Sequence, residues 1–255
     1  MKIALSAGHN VYIGSNFDCG AVGNGKREAD ITKATVKNLI SLLESQGHKV
    51  KDVTPYNQKF SEKKSHHLKR CREVDNFGAD LYLDVHINAG GGTGVETWIY
   101  SNGSSSKKHA EKICNNVSRH IGIRNRGVKV NPNYWSLKHC KALAIIVEGC
   151  FIDNANDIKK LNPKNYAEAI AMSFGEIKES KPNTDKKLYR VQTGAFSVRK
   201  NADGLLKKLK AKGYDAIVVK QGNLYKVQTG AFSKRENGDN LVAQLKKDGF
   251  EAFVI

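Results

Sequence analysis

The C-terminal third of the chain repeats itself, and that repeat restricts the fold more than any other feature. The segment LYRVQTGAFSVRKNADGLLKKLKAKGYDAIVV from Leu188 aligns with LYKVQTGAFSKRENGDNLVAQLKKDGFEAFVI from Leu224, an offset of 36 residues, and Val-Gln-Thr-Gly-Ala-Phe-Ser is identical in both. Each copy reads as a strand (189–193 or 225–229) and then a helix whose leucines, Leu205 and Leu209 or Leu241 and Leu245, lie four apart. Gly213 or Gly249 stops the helix, and a second strand follows (216–219 or 252–255). One copy of about 30 residues has too little interior to bury its own apolar face. The two therefore pair into one small α+β domain of ferredoxin-like βαββαβ order with a pseudo-twofold axis. Residues 181–187, with Pro182, Asn183, Thr184 and Asp185, read as a linker, which predicts domains at 1–180 and 188–255.

The first 180 residues alternate short apolar runs with amphipathic ones. Strands are expected at 3–6, 49–53, 81–86, 95–100 and 144–148, and helices at 29–46, 67–77, 106–121 and 165–179. Such alternation predicts a three-layer α/β domain with a mostly parallel sheet. Ligands of open sheets of this type sit beyond the carboxyl ends of the strands.

Composition narrows the partners. Net charge is +17, and residues 181–255 carry 16 basic and 7 acidic side chains against 26 and 18 in residues 1–180. This balance suits a polyanionic partner, of which nucleic acid and an anionic cell wall are both examples. No run approaches the roughly 18 consecutive apolar residues that a membrane span needs, so no membrane insertion is expected. The apolar stretch after Met1 is too short for a secretory leader, which predicts synthesis in the cytoplasm without a signal peptide. The cysteines Cys19, Cys71, Cys114, Cys140 and Cys150 are odd in number, scattered, and without C-x-x-C spacing. They are expected to be reduced, mostly buried thiols.

Three polar residues close apolar runs where the strand-end rule points: His9 after the turn Ser6-Ala7-Gly8, His86 at the end of LYLDVH, and Glu148 at the end of AIIVE. Glu28 opens the first long helix, where its carboxylate can turn back toward the sheet. Each has an ordinary reading by itself. A histidine after a glycine turn is commonly a hydrogen-bonded loop residue, and an acid in a first helical turn is unremarkable. Burying the His86 imidazole, and still more the Glu148 carboxylate, costs free energy unless a partner or a shifted pKa compensates. Together they offer two imidazoles and a carboxylate, a set that holds catalytic zinc with one position left for water, and a second carboxylate that can stand beside the metal.

These motifs resemble the zinc-dependent N-acetylmuramoyl-L-alanine amidases of the amidase_3 type. The likeness rests on Gly8-His9, on Gly20-Ala21-Val22-Gly23-Asn24-Gly25 followed by Glu28, on His86-Ile87-Asn88-Ala89, and on Glu148-Gly149-Cys150-Phe151-Ile152-Asp153-Asn154. It implies a Zn2+ ion on His9, Glu28 and His86 and Glu148 as catalytic carboxylate; Asn88, within the His86 motif, is a candidate substrate-binding residue. Ser6-Ala7 stands where the family commonly has Asp-Pro, and Asn10 replaces a glycine. The repeat looks like a SPOR module, with the strand Tyr-x-Val-Gln-x-Gly-Ala-Phe present twice. The resemblance implies binding to peptidoglycan glycan strands that lack stem peptides, with Gln192, Phe196, Gln228 and Phe232 as candidates; all four also suit packing or turn roles.

The expected activity is therefore hydrolysis of the amide between N-acetylmuramic acid and L-alanine, in a cell-wall lytic setting such as a phage endolysin or a sporulation autolysin. A zinc peptidase acting on stem peptides is the nearest rival, but no H-E-x-x-H spacing occurs. A nucleic-acid-binding protein is the rival of another class, and the aromatic-rich strand pattern of an RRM is missing. Glu96 is a candidate partner for the site, or equally a salt-bridging strand residue. No serine lies in a nucleophile-elbow pattern, and Cys140 beside His139 does not face its neighbour.

Overall fold

The structure, a computed structural model, describes residues 1–177, 189–232 and 235–255. The linker expected at 181–187 and the last two residues of the helix expected at 165–179 fall outside them. The described residues form two compact units, one before and one after residue 180.

In the first unit the chain runs β1 (Lys2–Ala7), β2 (Val11–Ile13), β3 (Asn16–Asp18), β4 (Val22–Gly23), β5 (Lys26–Arg27), α1 (Glu28–Ser45), β6 (Lys49–Asp52), β7 (Lys59–Phe60) and α2 (Lys63–Phe77). It continues through β8 (Leu81–Asn88), β9 (Val95–Ile99), α3 (Lys107–Ile121), β10 (Asn125–Val130), α4 (Trp135–His139), β11 (Leu143–Phe151), α5 (Ala155–Lys160) and α6 (Pro163–Ala171). Six strands make one mixed sheet in the order β10-β9-β11-β8-β1-β6, parallel at every pairing except β9 against β11. Two small sheets, β3-β2-β7 and the hairpin β4-β5, lie in the loops before α1 and α2.

Side-chain alternation sorts the sheet into two faces. Leu5, Leu83, Val85, Ile145 and Val147 belong to the larger apolar cluster, under α1, α3 and α6, where Val36, Leu39 and Leu43 of α1 recur every three or four residues. Ala4, Tyr82, Ala144 and Ile146 face the other way, with Val74 of α2 and Leu137 of α4. A sheet covered on both sides reads as continuous apolar runs, and the exceptions are informative. Asp84, His86 and Glu148 fall in the same alternation as Tyr82 and Ile146, so they emerge on the α2/α4 face near the carboxyl ends of the strands.

One sequence expectation is overturned: Cys71 and Cys140 form a disulfide. Their 69-residue separation hid a Cα–Cα distance of 4.8 Å, which arises because α2 and α4 pack on one face of the sheet. Cys19, Cys114 and Cys150 are free, the last two buried. The helix expected from 165 ends early, at Ala171, and α2 starts four residues before its expected position at 67. β10 was not foreseen; it is a half-exposed edge strand without apolar alternation.

The second unit is a four-stranded antiparallel sheet, β13-β14-β12-β15, built from β12 (Tyr189–Phe196), α7 (Arg199–Ala211), β13 (Ile217–Gln221), β14 (Leu224–Phe232), α8 (Arg235–Lys247) and β15 (Phe253–Val254). The equivalent strands β12 and β14 pair at the centre, and the equivalent hydroxyls of Thr193 and Thr229 meet at 3.2 Å, as a pseudo-twofold axis between the copies requires. Val191, Leu209, Val227 and Leu245 are fully buried in its core. Among the described residues, no helix is long and apolar enough to cross a membrane.

Candidate metal centre and active site

His9 owes its position to a tightly held turn. The Gly8 amide donates to the Val85 carbonyl at 2.8 Å, and His9 and Asn10 both adopt left-handed backbone conformations, with φ of 61° and 66°. A non-glycine residue held there costs about 1–3 kcal/mol unless its surroundings enforce it. Here they do. Asn10 donates to the carbonyls of Gly8 (2.8 Å) and Ala29 (3.1 Å), and the buried Arg70 of α2 donates to those of Ala7 (3.0 Å) and His9 (2.6 Å). Glycine is required at two contacts. A Cβ at Gly8 would meet the His86 ring at 2.5 Å, and one at Gly20 would meet both Glu28 Oε2 and the His9 ring at 2.5 Å.

Glu28, the first residue of α1, turns its side chain back over the sheet. Its Oε1 accepts from the Ile87 amide (3.0 Å) and lies 2.9 Å from His86 Nδ1; its Oε2 accepts from the Ala21 amide (2.9 Å) and lies 3.2 Å from His9 Nε2. The three residues place one ligand atom each within 4.8 Å of one another. The outer ring nitrogens also face carboxylates: His9 Nδ1 lies 2.8 Å from Asp18 Oδ1, and His86 Nε2 lies 3.4 Å from Asp84 Oδ1. A carboxylate behind an imidazole fixes its tautomer and leaves the inner nitrogen's lone pair for a metal. Two imidazoles and a carboxylate, each held from behind, fit a zinc ion.

Asp84 anchors the layer beneath. It is only 1% exposed, accepts from Ser6 and Ser136, and pairs with Arg70, itself 1% exposed, at 3.3 Å. Burial opposes ionisation of this carboxyl, yet His86, Arg70 and the hydroxyl donors outweigh it and hold it well below the usual carboxylate range. Glu28 shows the same balance: burial works against the charge, and hydrogen bonds from His86 and His9 overcome it, so its pKa falls. Glu148 behaves oppositely. Burial raises its carboxyl to about 7, with Glu28, Glu96 and Asp84 adding to the rise and His86 opposing it. It sits beside His86 in the β8–β11 register, and its Oε2 is buried with no hydrogen-bond partner.

Glu96, Glu148's neighbour across the β9–β11 pairing, is buried and structural in its contacts: Oε1 accepts from Asn88 (2.9 Å) and Trp98 (3.2 Å), and Oε2 from Arg126 (2.6 Å). It thereby orients Asn88. Asp18, Asp84 and Arg70 were not anticipated from sequence; only Asp84 left a signal there, as a charge inside the apolar run LYLDVH. In the second unit, Phe196 and Phe232 pack against its apolar core beside Leu205 and Leu241, Gln192 is buried with an unpartnered Oε1, and Gln228 lines a surface cavity of about 200 Å³ with Ala216 and Ile217.

An open α/β sheet with such a cluster at its strand ends has the form of a hydrolase, and the cluster is one that could hold a metal ion. Residues 3–176 match the family described as N-acetylmuramoyl-L-alanine amidase (Amidase_3), and residues 185–255 match the SPOR domain. The sporulation-specific N-acetylmuramoyl-L-alanine amidase of Bacillus subtilis is 35% identical over 224 residues, 86% of this chain and 84% of that protein. The endolysin of Bacillus phage SPP1 is 30% identical, over 79% of this chain and 78% of that one. Among solved structures, the catalytic domain of the CD27L endolysin targeting Clostridia difficile superposes with a TM-score of 0.61 at 26% identity, covering 68% of this chain and 96% of that one. The chain belongs to the N-acetylmuramoyl-L-alanine amidase family and carries a C-terminal SPOR domain.

Proposed function

We propose that the chain hydrolyses the amide joining N-acetylmuramic acid to L-alanine in bacterial peptidoglycan, with His9, Glu28 and His86 holding Zn2+ and Glu148 as the catalytic base. The observation that carries this reading is the convergence of His9, Glu28 and His86 within 4.8 Å beside a carboxylate, Glu148, whose Oε2 has no partner. A zinc ion held there supplies Lewis acidity, acidifying water and polarising the scissile carbonyl.

The chain's own groups do the proton work. Glu148, raised to about 7 by burial, is matched to taking a proton near neutral pH from the attacking water and returning it to the departing L-alanine amine. Asp18 and Asp84 keep the two imidazoles in one tautomer, and Arg70 keeps the His9 turn closed. The SPOR unit, proposed to bind glycan strands stripped of stem peptides, would retain the enzyme on its own product, and the net charge of +17 favours an anionic wall.

The test is chemical. Purified walls digested by the chain should yield intact glycan strands and peptides with new N-terminal L-alanine, and a chelator should stop the release. Cleavage inside the stem peptide would instead identify the peptidase reading.

A further inference from the structure

Beside Glu148 lies a cavity of about 200 Å³ lined by Asp84, His86 and Glu148 together with His67, Tyr134, Trp135, Ser136 and Ile146. Tyr134 and Trp135 are 38% and 37% exposed, large aromatic surface left in water at the mouth of a buried site. They are nonetheless held firmly. Tyr134 packs edge-on against Trp98 at 5.4 Å, Trp135 stacks on His139 at 4.5 Å, and the Cys71–Cys140 disulfide ties the end of α4 to α2. His67 Nδ1 has no partner within the protein.

Charge differs on the two sides of Glu148. On the cavity side Asp84 is matched by Arg70, and no cation among the cavity's lining residues is free to hold an anion. On the other side, Glu96 is met by both Arg126 (2.6 Å) and Lys129 (3.7 Å), two positive charges against one negative. The substrate of the proposed reaction is asymmetric in the same sense. The muramoyl sugar loses its only charge when its lactyl carboxyl is tied up in the amide, whereas the peptide keeps at least its terminal carboxylate.

We infer that the cavity is the saccharide subsite: the muramoyl pyranose packs its C–H face against Tyr134 and Trp135, and the peptide runs across β9 toward Arg126 and Lys129. The negative faces of aromatic rings attract the polarised C–H groups of a sugar, and His67 and Ser136 line the cavity beside them. The identity of the sugar rests on the amidase reading above; the aromatic subsite itself rests on the cavity.

Trp98 and Trp135 are the chain's 2 tryptophans, so selectively excited tryptophan emission reports on this unit and ignores sugar bound by the SPOR unit. In the full chain, a peptide-free N-acetylglucosamine–N-acetylmuramic acid disaccharide whose lactyl carboxyl is capped as a neutral methyl amide should shift the emission saturably, and Trp135→Leu should abolish the shift. With substrates, Trp135→Leu and Tyr134→Ala should raise KM about tenfold, a loss of about 1.4 kcal/mol, for a muramoyl peptide. They should leave KM unchanged for the corresponding lactoyl peptide, which lacks the ring, while Arg126→Ala should raise KM for both. An equal loss on both substrates in the Trp135 variant, or no emission shift in the wild type, overturns the subsite. Absence of amide cleavage together with a saturable, Trp135-dependent shift leaves the subsite standing and removes only the assigned reaction.

Discussion

Replacing Arg70 by methionine is expected to cost the first unit about 3–5 kcal/mol, because it removes one partner of a buried ion pair and strands the other. Both members are 1% exposed, and Asp84 would keep its charge with only Ser6, Ser136 and the more distant His86 to compensate it. The Ala7 and His9 carbonyls would lose their guanidinium donor at the same time. Against a typical domain stability of about 5–15 kcal/mol, the variant should still fold, marginally. Urea unfolding followed by tryptophan emission measures this unit selectively, since Trp98 and Trp135 both lie in it. Adding Asp84→Asn should recover part of the loss, as the stranded charge disappears. The His9 turn would also loosen, and zinc affinity measured by chelator competition should fall about 10–100-fold, the range for outer-shell partners. A cost under about 1 kcal/mol with unchanged zinc affinity would refute the assignment of Arg70 as the clamp on this turn.

The remaining predictions concern the site and its surroundings. Glu148→Gln should lower kcat by about 10²–10⁴ with zinc content unchanged; because the amide is neutral where burial disfavours the carboxylate, thermal stability should not fall. Retention of wild-type turnover would dismiss Glu148 as the base. Gly20→Ala should abolish metal binding, since the new methyl would meet Glu28 and His9 at 2.5 Å on a backbone of φ +68°; normal zinc content would contradict the closeness of that contact. Burial lowers His66 to about 3 and His67 to about 4, from 6.5. Unfolded chains therefore take up protons that the folded one refuses, so these residues make stability fall as pH drops from about 6.5 toward 4. The double variant His66→Phe/His67→Leu should flatten that slope in urea titrations, and an unaltered slope would count against it.

The sequence already carried most of the scaffold. The repeat with its four-residue leucine spacing implied the second unit, and the apolar runs of β1, β8 and β11 implied the parallel core, because strands buried on both faces need no alternation to be visible. What escaped was short or half-exposed: β10, the loop hairpins and α4 have too few apolar residues for a period to show. His9, Glu28 and His86 were readable as polar residues at element ends, and the structure brings their side chains together. Of the groups behind them only Asp84 left a trace, as a charge inside an apolar run. Asp18 comes from a small loop sheet, Arg70 looks like one cation among many in KRCRE, and the Cys71–Cys140 bridge depends on two helices sharing a sheet face, which spacing along the chain does not encode.

The most direct test pairs metal with bond. Walls should be digested by chain stripped of metal, then by the same chain given one equivalent of zinc, and the newly exposed amines identified residue by residue. The account predicts N-terminal L-alanine that appears only with zinc and is lost in His9→Ala and His86→Ala. Undiminished release by the metal-free chain, or a new amine on any residue other than the first of the stem, would contradict it.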